Sequence, residues 1–334
     1  MGQYDNIFKT MEDDLHNAMN LDDRTKKKIF ENILSLKTQE LNIMITGATG
    51  CGKSSTINAL FNTDVAKVGV GVDPETMDIQ KYELNSLVLW DSPGLGDGKQ
   101  KDNQHAKNII KKLNELDKNG NNLIDLVLVI LDGSTRDLGT SYELINNIVI
   151  PNLGEDASKR ILVAINQADV AMKGRNVWNF EENKPTDKLE KFLYDKVTSV
   201  KNRIKEATGV LVDPVFYAAG YKEEGESQRP YNLSKLLYFI VKHTPDRKRV
   251  LFANDNVSND DEMWKDNDDL KEYNKEIKQS VWESVKEHAS EGADIGSDIG
   301  SIFGKTGERV GKVVGGIVGG AFAIGKKLFS GIFG

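Results

Sequence analysis

The chain has 334 residues, of which 39% are apolar and 28% charged, and its net charge is −7. This is soluble-domain composition with length for one large or two modest domains, and the acidic balance argues against nucleic acid as a partner. One cysteine, Cys51, excludes an internal disulfide and a cysteine zinc framework, and four scattered histidines do not suggest a histidine metal site.

The N-terminal run MGQYDNIFKTMEDDL has neither a basic region nor an apolar core of signal-peptide type, so a cytoplasmic location is expected. Residues 1–40 are polar with spaced apolar positions, and Ile29, Phe30, Ile33, Leu34 and Leu36 suit an amphipathic helical lead-in. From Leu41 the pattern alternates. Apolar runs at 41–45, 86–90, 126–131, 161–165 and 215–219 are separated by helix-like stretches at 103–117, 139–149, 187–207 and 232–243. Near-continuous apolar strands alternating with helices predict an α/β fold with a mainly parallel sheet covered on both faces. Asp78–Leu84 is expected to pair antiparallel with 86–90 through a turn at Asn85–Ser86. The resulting division is a helical lead-in over 1–40, a nucleotide-binding domain over 41–246, an acidic linker and helix over 247–291, and a glycine-rich apolar tail over 292–334.

Residues Gly47 to Ser54 read GATGCGKS, between the first apolar run and a helix-compatible stretch. This spacing turns backbone N–H groups inward around a phosphate, brings the Lys53 ammonium to the terminal phosphates and sets the Ser54 hydroxyl on Mg²⁺. Gly47, Thr49, Gly50, Cys51, Gly52, Lys53, Ser54 and Ser55 are the candidate phosphate-binding residues. Asp91-Ser92-Pro93-Gly94 closes a strand, where Asp91 can hold Mg²⁺ through water and the Gly94 N–H can meet a γ-phosphate. Asn166 and Asp169 lie three apart at the end of another strand. The Asp169 carboxylate suits guanine, which offers it a ring N–H and an exocyclic amine, whereas adenine offers no such pair. In Tyr217-Ala218-Ala219-Gly220 a backbone N–H of Ala218 or Ala219 is the candidate donor to the guanine oxygen. Thr76, in Asp73-Pro74-Glu75-Thr76, is the candidate hydroxyl that closes on Mg²⁺ when the γ-phosphate is present. Cys51 is either a redox-sensitive thiol at a helix N-terminus or a space filler. Trp178 either anchors a partner or plugs its own loop onto the sheet.

This set, over about Leu41 to His243, resembles the Era-like branch of the translation-factor class of P-loop GTPases. The runs VGVGVDPET, LVLWDSPGLGDG, DLGTSYELINNIVIPNLG and INQAD look similar to a prophage-associated bacterial subgroup of that branch. The resemblance implies GTP/GDP and Mg²⁺ as ligands, with Lys53, Thr76 and Gly94 acting on the phosphates and Ser54, Thr76 and Asp91 on the metal. Departures bear on mechanism. Gln167 stands where the family carries a Lys that lies over the purine, so base stacking should soften. Leu95 stands where small regulatory GTPases have a water-orienting Gln, so hydrolysis should be slow alone and need dimerisation or a partner protein. Gly50 replaces the Asn of potassium-stimulated relatives, and Thr49 adds bulk to the loop.

In the tail, thirteen of 43 residues are glycine, and Gly292, Gly296, Gly300, Gly304 and then Gly307, Gly311, Gly315, Gly319 step by four. Such a small-residue stripe lets helices approach closely. In water each glycine opposes a helix by about 0.8–1 kcal/mol relative to alanine, so a membrane or a tightly packed helix must compensate. The longest uncharged run, Val313 to Gly325, is thirteen residues, shorter than the roughly 20 a membrane span needs. Lipid at the inner membrane face and a helix partner therefore both stay open. Three functions follow: a Mg²⁺-dependent GTPase switch, a GTP-gated membrane effector working through the tail, and, by analogy alone, a ribosome-assembly GTPase.

Overall fold

The computed structural model describes residues 6–61, 79–174, 176–223, 226–254, 257–258, 260–293 and 299–313. Thr76 and tail residues 314–334 lie outside the described residues. The chain opens with helices α1 (Ile7–Asn17) and α2 (Asp23–Lys37), so the lead-in is broken in two. The Asp22 side chain accepts from the Thr25 N–H and restarts the second helix. Strand β1 (Leu41–Gly47) and helix α3 (Lys53–Leu60) bracket the phosphate loop. Then come β2 (Gln80–Leu84), β3 (Leu87–Asp91), α4 (Lys99–Leu113), β4 (Leu126–Asp132), α5 (Gly139–Glu143), a π-turn segment Leu144–Val149, α6 (Ile150–Leu153), α7 (Ala157–Arg160) and β5 (Ile161–Asn166). The hairpin β6 (Trp178–Asn179) and β7 (Lys184–Pro185) precedes α8 (Asp187–Thr208). After β8 (Val215–Phe216) a second hairpin, β9 (Tyr221–Glu223) and β10 (Glu226–Gln228), leads to α9 (Leu233–His243). The chain then runs to α10 (Tyr273–Ala289), α11 (Ile299–Ile302) and α12 (Gly304–Val313).

The main sheet has the order β2-β3-β1-β4-β5-β8. Only β2 is antiparallel, and it joins β3 through Asn85 at φ 51, as the turn residues predict. Alternation along each strand assigns the faces. Ile43, Ile45, Leu87, Leu89, Leu126, Leu128 and Ile130 point into a core with α1, α2, α3, α9 and α10. Met44, Val127, Val129, Leu131, Ile161, Val163 and Ile165 point into a second core with α4, the π segment, α6 and α8. Helix α4 begins at Lys99, four residues before the apolar periodicity starts, because the Asp102 side chain in its first turn accepts from the Gly96 N–H. The predicted 215–219 strand ends at Phe216.

The acidic stretch after α9 is packed rather than solvent-spanning. Trp264 is buried and its indole N–H donates to the Ser258 carbonyl, while Val257 bridges Phe61 and the Ser258 N–H donates to the Leu60 carbonyl. Among the described residues no helix is long and apolar enough to cross a membrane. The described part of the tail docks on protein. Phe303 and Val310 are buried in the α1, α2 and α10 core, and a Cβ on Gly307 would touch the Trp282 ring at 3.4 Å. Asp14 of α1, 6% exposed, accepts from the Thr306 N–H and hydroxyl, both at 2.8 Å. A hydrogen bond to a charged acceptor contributes about 1.5–3 kcal/mol. Asp14→Ala is therefore expected to raise amide exchange across Gly304–Val313 at least tenfold while leaving the sheet protected. Unchanged exchange there would mean that apolar contacts alone hold the helix.

Candidate nucleotide site

The loop between β1 and α3 is shaped from behind. The Gln167 amide donates to the Gly50 carbonyl at 3.1 Å, the Asn166 amide to the Cys51 carbonyl at 3.0 Å, and the Thr56 hydroxyl to the Gly52 carbonyl at 2.8 Å. Three successive carbonyls are thus held on the protein side, which leaves the loop to present N–H groups on the other, the arrangement an anion needs. Gly52 sits at φ +87, and a Cβ there would fall 2.2 Å from the Asn166 amide nitrogen. Only glycine fits on both counts. Lys53 donates to the Ala48 carbonyl at 3.3 Å, and Ser54 and Ser55 occupy the first turn of α3.

Asp91 ends β3 beside this loop. Its Oδ1 is buried with no hydrogen-bond partner among the described residues, and burial pushes its carboxyl up to about 6 against the pull of Lys53. A buried, unpartnered carboxylate oxygen next to the phosphate loop is what a cation site requires, so the residues present fit Mg²⁺ held by Asp91 and Ser54.

The segment after Asp91 is clamped to the loop. The Thr49 N–H donates to the Leu95 carbonyl at 3.0 Å and the Leu95 N–H to the Gly47 carbonyl at 3.3 Å. Gly94 lies so close that a Cβ would stand 2.5 Å from the Thr49 hydroxyl, and its carbonyl accepts from His105 Nδ1 at 3.0 Å. Leu95 is 5% exposed and packs in the second core. Asp97 instead faces the loop: Oδ1 accepts from the Thr49 hydroxyl at 3.1 Å, and Oδ2 is buried without a partner among the described residues. Sequence reading missed Asp97 and His105. The turn Gly96-Asp97-Gly98, a carboxylate between glycines two positions past Leu95, was the available signal for the first.

At the base end, Asp169 is half-buried in the 3-10 turn Ala168–Val170, and desolvation raises its carboxyl, opposed by its own and the Val170 N–H and by the Gln228 side chain. Two expectations change here. The Ala218 N–H is spent on the Tyr231 carbonyl and the Ala219 N–H on Asn166 Oδ1, each at 3.0 Å, so neither is free for a guanine oxygen. A donor from this loop has to come from Gly220 onward. The Gln167 amide is turned to the phosphate loop, at the Gly50 carbonyl. Burial raises the Cys51 thiol, which is fully enclosed, so it fills space rather than reacts. Trp178, 5% exposed and edge-on to Tyr231 at 5.3 Å, plugs its loop onto the domain.

Residues 42–167 match the family described as 50S ribosome-binding GTPase. The fold is that of a P-loop GTPase. Over 162 residues the chain is 29% identical to the protein called uncharacterized protein YfjP of Escherichia coli strain K12, covering 47% of this chain and 52% of that one. Over 169 residues it is 31% identical to the tRNA modification GTPase MnmE of Mycoplasma mycoides subsp. mycoides SC, covering 47% and 35%. The chain spans about half the length, or less, of the curated relatives it matches. The solved structure titled LeoA bacterial dynamin GTPase from ETEC aligns with 92% of this chain and 46% of its own, at 14% identity and a TM-score of 0.40. The family match and the likeness to MnmE support guanine-nucleotide binding by the matched region. Gly52→Ala should then abolish GDP binding in a titration while the far-ultraviolet circular dichroism stays native. Retained binding would show that Asn166 can yield.

Proposed function

We propose that this chain binds GTP with Mg²⁺ and hydrolyses it to GDP and phosphate, as a conformational switch of the Era-like type. The observation that carries this reading is a phosphate loop whose Gly50, Cys51 and Gly52 carbonyls are pinned on its protein side, with Lys53 beside Asp91, whose Oδ1 is buried and unpartnered among the described residues. Lys53 draws phosphate charge, and the Gly94 N–H meets the γ-phosphate. Asn166 shapes the base loop and Asp169 selects guanine. Ser54, Asp91 through water and Thr76 would hold Mg²⁺, which when bound would neutralise charge on the phosphate oxygens. Leu95 has no polar atom on its side chain with which to hold the attacking water. Asp97, with one oxygen unpartnered beside Thr49, is the group this chain offers for it.

In the arrangement described, Asp97 is engaged by Thr49, and Lys53 by the loop itself. Both have to turn toward nucleotide before turnover, which favours slow hydrolysis by the isolated chain and stimulation by a second copy or an activating protein. Phosphate release from GTP tests this. Lys53→Ala should abolish turnover. Asp97→Asn should lower kcat about 10²-fold or more with GDP affinity within twofold of the parent. An unchanged kcat in Asp97→Asn would remove that residue from the reaction, and turnover by Lys53→Ala would sink the GTPase reading.

A second reading concerns the tail. Docking of Phe303, Thr306 and Val310 on α1 and α10 supports a tail parked on its own protein, from which a nucleotide-driven change would release it toward lipid or a helix partner. Flotation with anionic vesicles, comparing GDP with a non-hydrolysable GTP analogue, tests it. Equal flotation in both states would exclude gating by nucleotide.

A further inference from the structure

Tyr217 opens the Tyr217–Gly220 segment and stands between the two ends of the nucleotide site. Its ring is fully buried, and its hydroxyl lies 2.6 Å from the Thr56 hydroxyl. Thr56 has a single hydroxyl hydrogen and gives it to the Gly52 carbonyl at 2.8 Å. The proton between the two hydroxyls therefore comes from tyrosine, and the chain of donation runs from Tyr217 to Thr56 to Gly52. The same residue acts through its backbone at the base end. Its carbonyl accepts from the Ala168 N–H at 3.1 Å, in the segment that carries Asp169, and its N–H donates to the Ile165 carbonyl at 2.9 Å. One residue thus braces the phosphate loop from its side chain and the base loop from its main chain.

A phenol in an apolar core is retained at a cost unless its hydroxyl is satisfied, because desolvation of an unpaired hydroxyl costs on the order of 1–3 kcal/mol. Phenylalanine would fill the same space without that demand. Of the three carbonyls at Gly50, Cys51 and Gly52, the hydroxyl reaches, through Thr56, the one that the base loop does not hold. Gly50 and Cys51 are held by Gln167 and Asn166, and Gly52 is held by Thr56. Chained hydroxyls also strengthen one another in a low-dielectric interior.

We propose that Tyr217 is a positioning residue for nucleotide binding: through Thr56 it sets the Gly52 peptide, and through its carbonyl it sets the guanine-reading turn, so that the two loops hold a fixed separation. The inference rests on the guanine-nucleotide reading above.

The test uses the full chain with GDP and Mg²⁺. Tyr217→Phe should weaken GDP about three- to tenfold, the scale of one buried hydrogen bond, mainly through faster release. The ³¹P resonance of the bound GDP β-phosphate should move, which a general loss of stability would not produce in the folded, saturated protein. Thr56→Val should weaken GDP at least as much, Thr56→Ser should restore parental affinity, and the Tyr217→Phe, Thr56→Val double variant should be no weaker than Thr56→Val alone. Should Tyr217→Phe fail to fold, the Val and Ser variants of Thr56 still decide the matter. Parental affinity with an unmoved resonance in Tyr217→Phe, or additive losses in the double variant, would overturn the proposal. Absence of guanine-nucleotide binding by the parent chain would instead overturn the reading beneath it.

Discussion

The carboxamide of Asn166 is the constraint on which the site depends. It is 3% exposed, donates to Cys51 in the phosphate loop, accepts from Ala219 in the loop after β8, and crowds Gly52 so closely that no side chain is admitted there. Its own carbonyl accepts from the Gly133 N–H at the end of β4. Segments following β1, β4 and β8 therefore converge on this one buried residue at the end of β5. Such a group must be fully paired to be tolerated, and once paired it leaves the surrounding backbone little freedom. The phosphate loop and the turn carrying Asp169 are consequently parts of one body rather than two loops that happen to be close.

Around that body the segment carrying Gly94 and Asp97 is held by softer means. Leu95 bridges to the phosphate loop through backbone hydrogen bonds, Asp97 through one hydroxyl contact, and the Gly94 carbonyl through His105. These contacts can be exchanged for contacts to a phosphate without disturbing the apolar core, since only Leu95 is anchored in it. A rigid reader beside an exchangeable reporter is the physical requirement for a switch.

Much of this was legible from residue order. The five parallel strands announced themselves as apolar runs because both faces are covered, and Asn85 marked the antiparallel turn because few other residues accept a positive φ. The place of the phosphate loop between β1 and α3 was legible from its glycine spacing. What escaped reading depends on long-range partners. Hairpins at Trp178–Pro185 and Tyr221–Gln228 use strands of two or three residues, too short for any period. Ala218 and Ala219 looked free because their acceptors, Tyr231 and Asn166, lie elsewhere in the chain. Helix α1 was not distinguished from α2, since its buried face, Ile7, Phe8, Met11 and Leu15, lies outside the positions whose spacing suggested a helix.

That last face has a consequence for how the molecule is made. Helix α1 is synthesised well before Thr306, the partner of its Asp14, which follows 292 positions later. At roughly 5–20 residues per second, α1 waits on the order of 15–60 s before its covering helix exists. During that interval Ile7, Phe8 and Met11 form a sticky amphipathic handle on a nascent chain whose sheet domain can already close. Completion of α12 is then the event that covers α1, so this early-made segment is among the last to be protected.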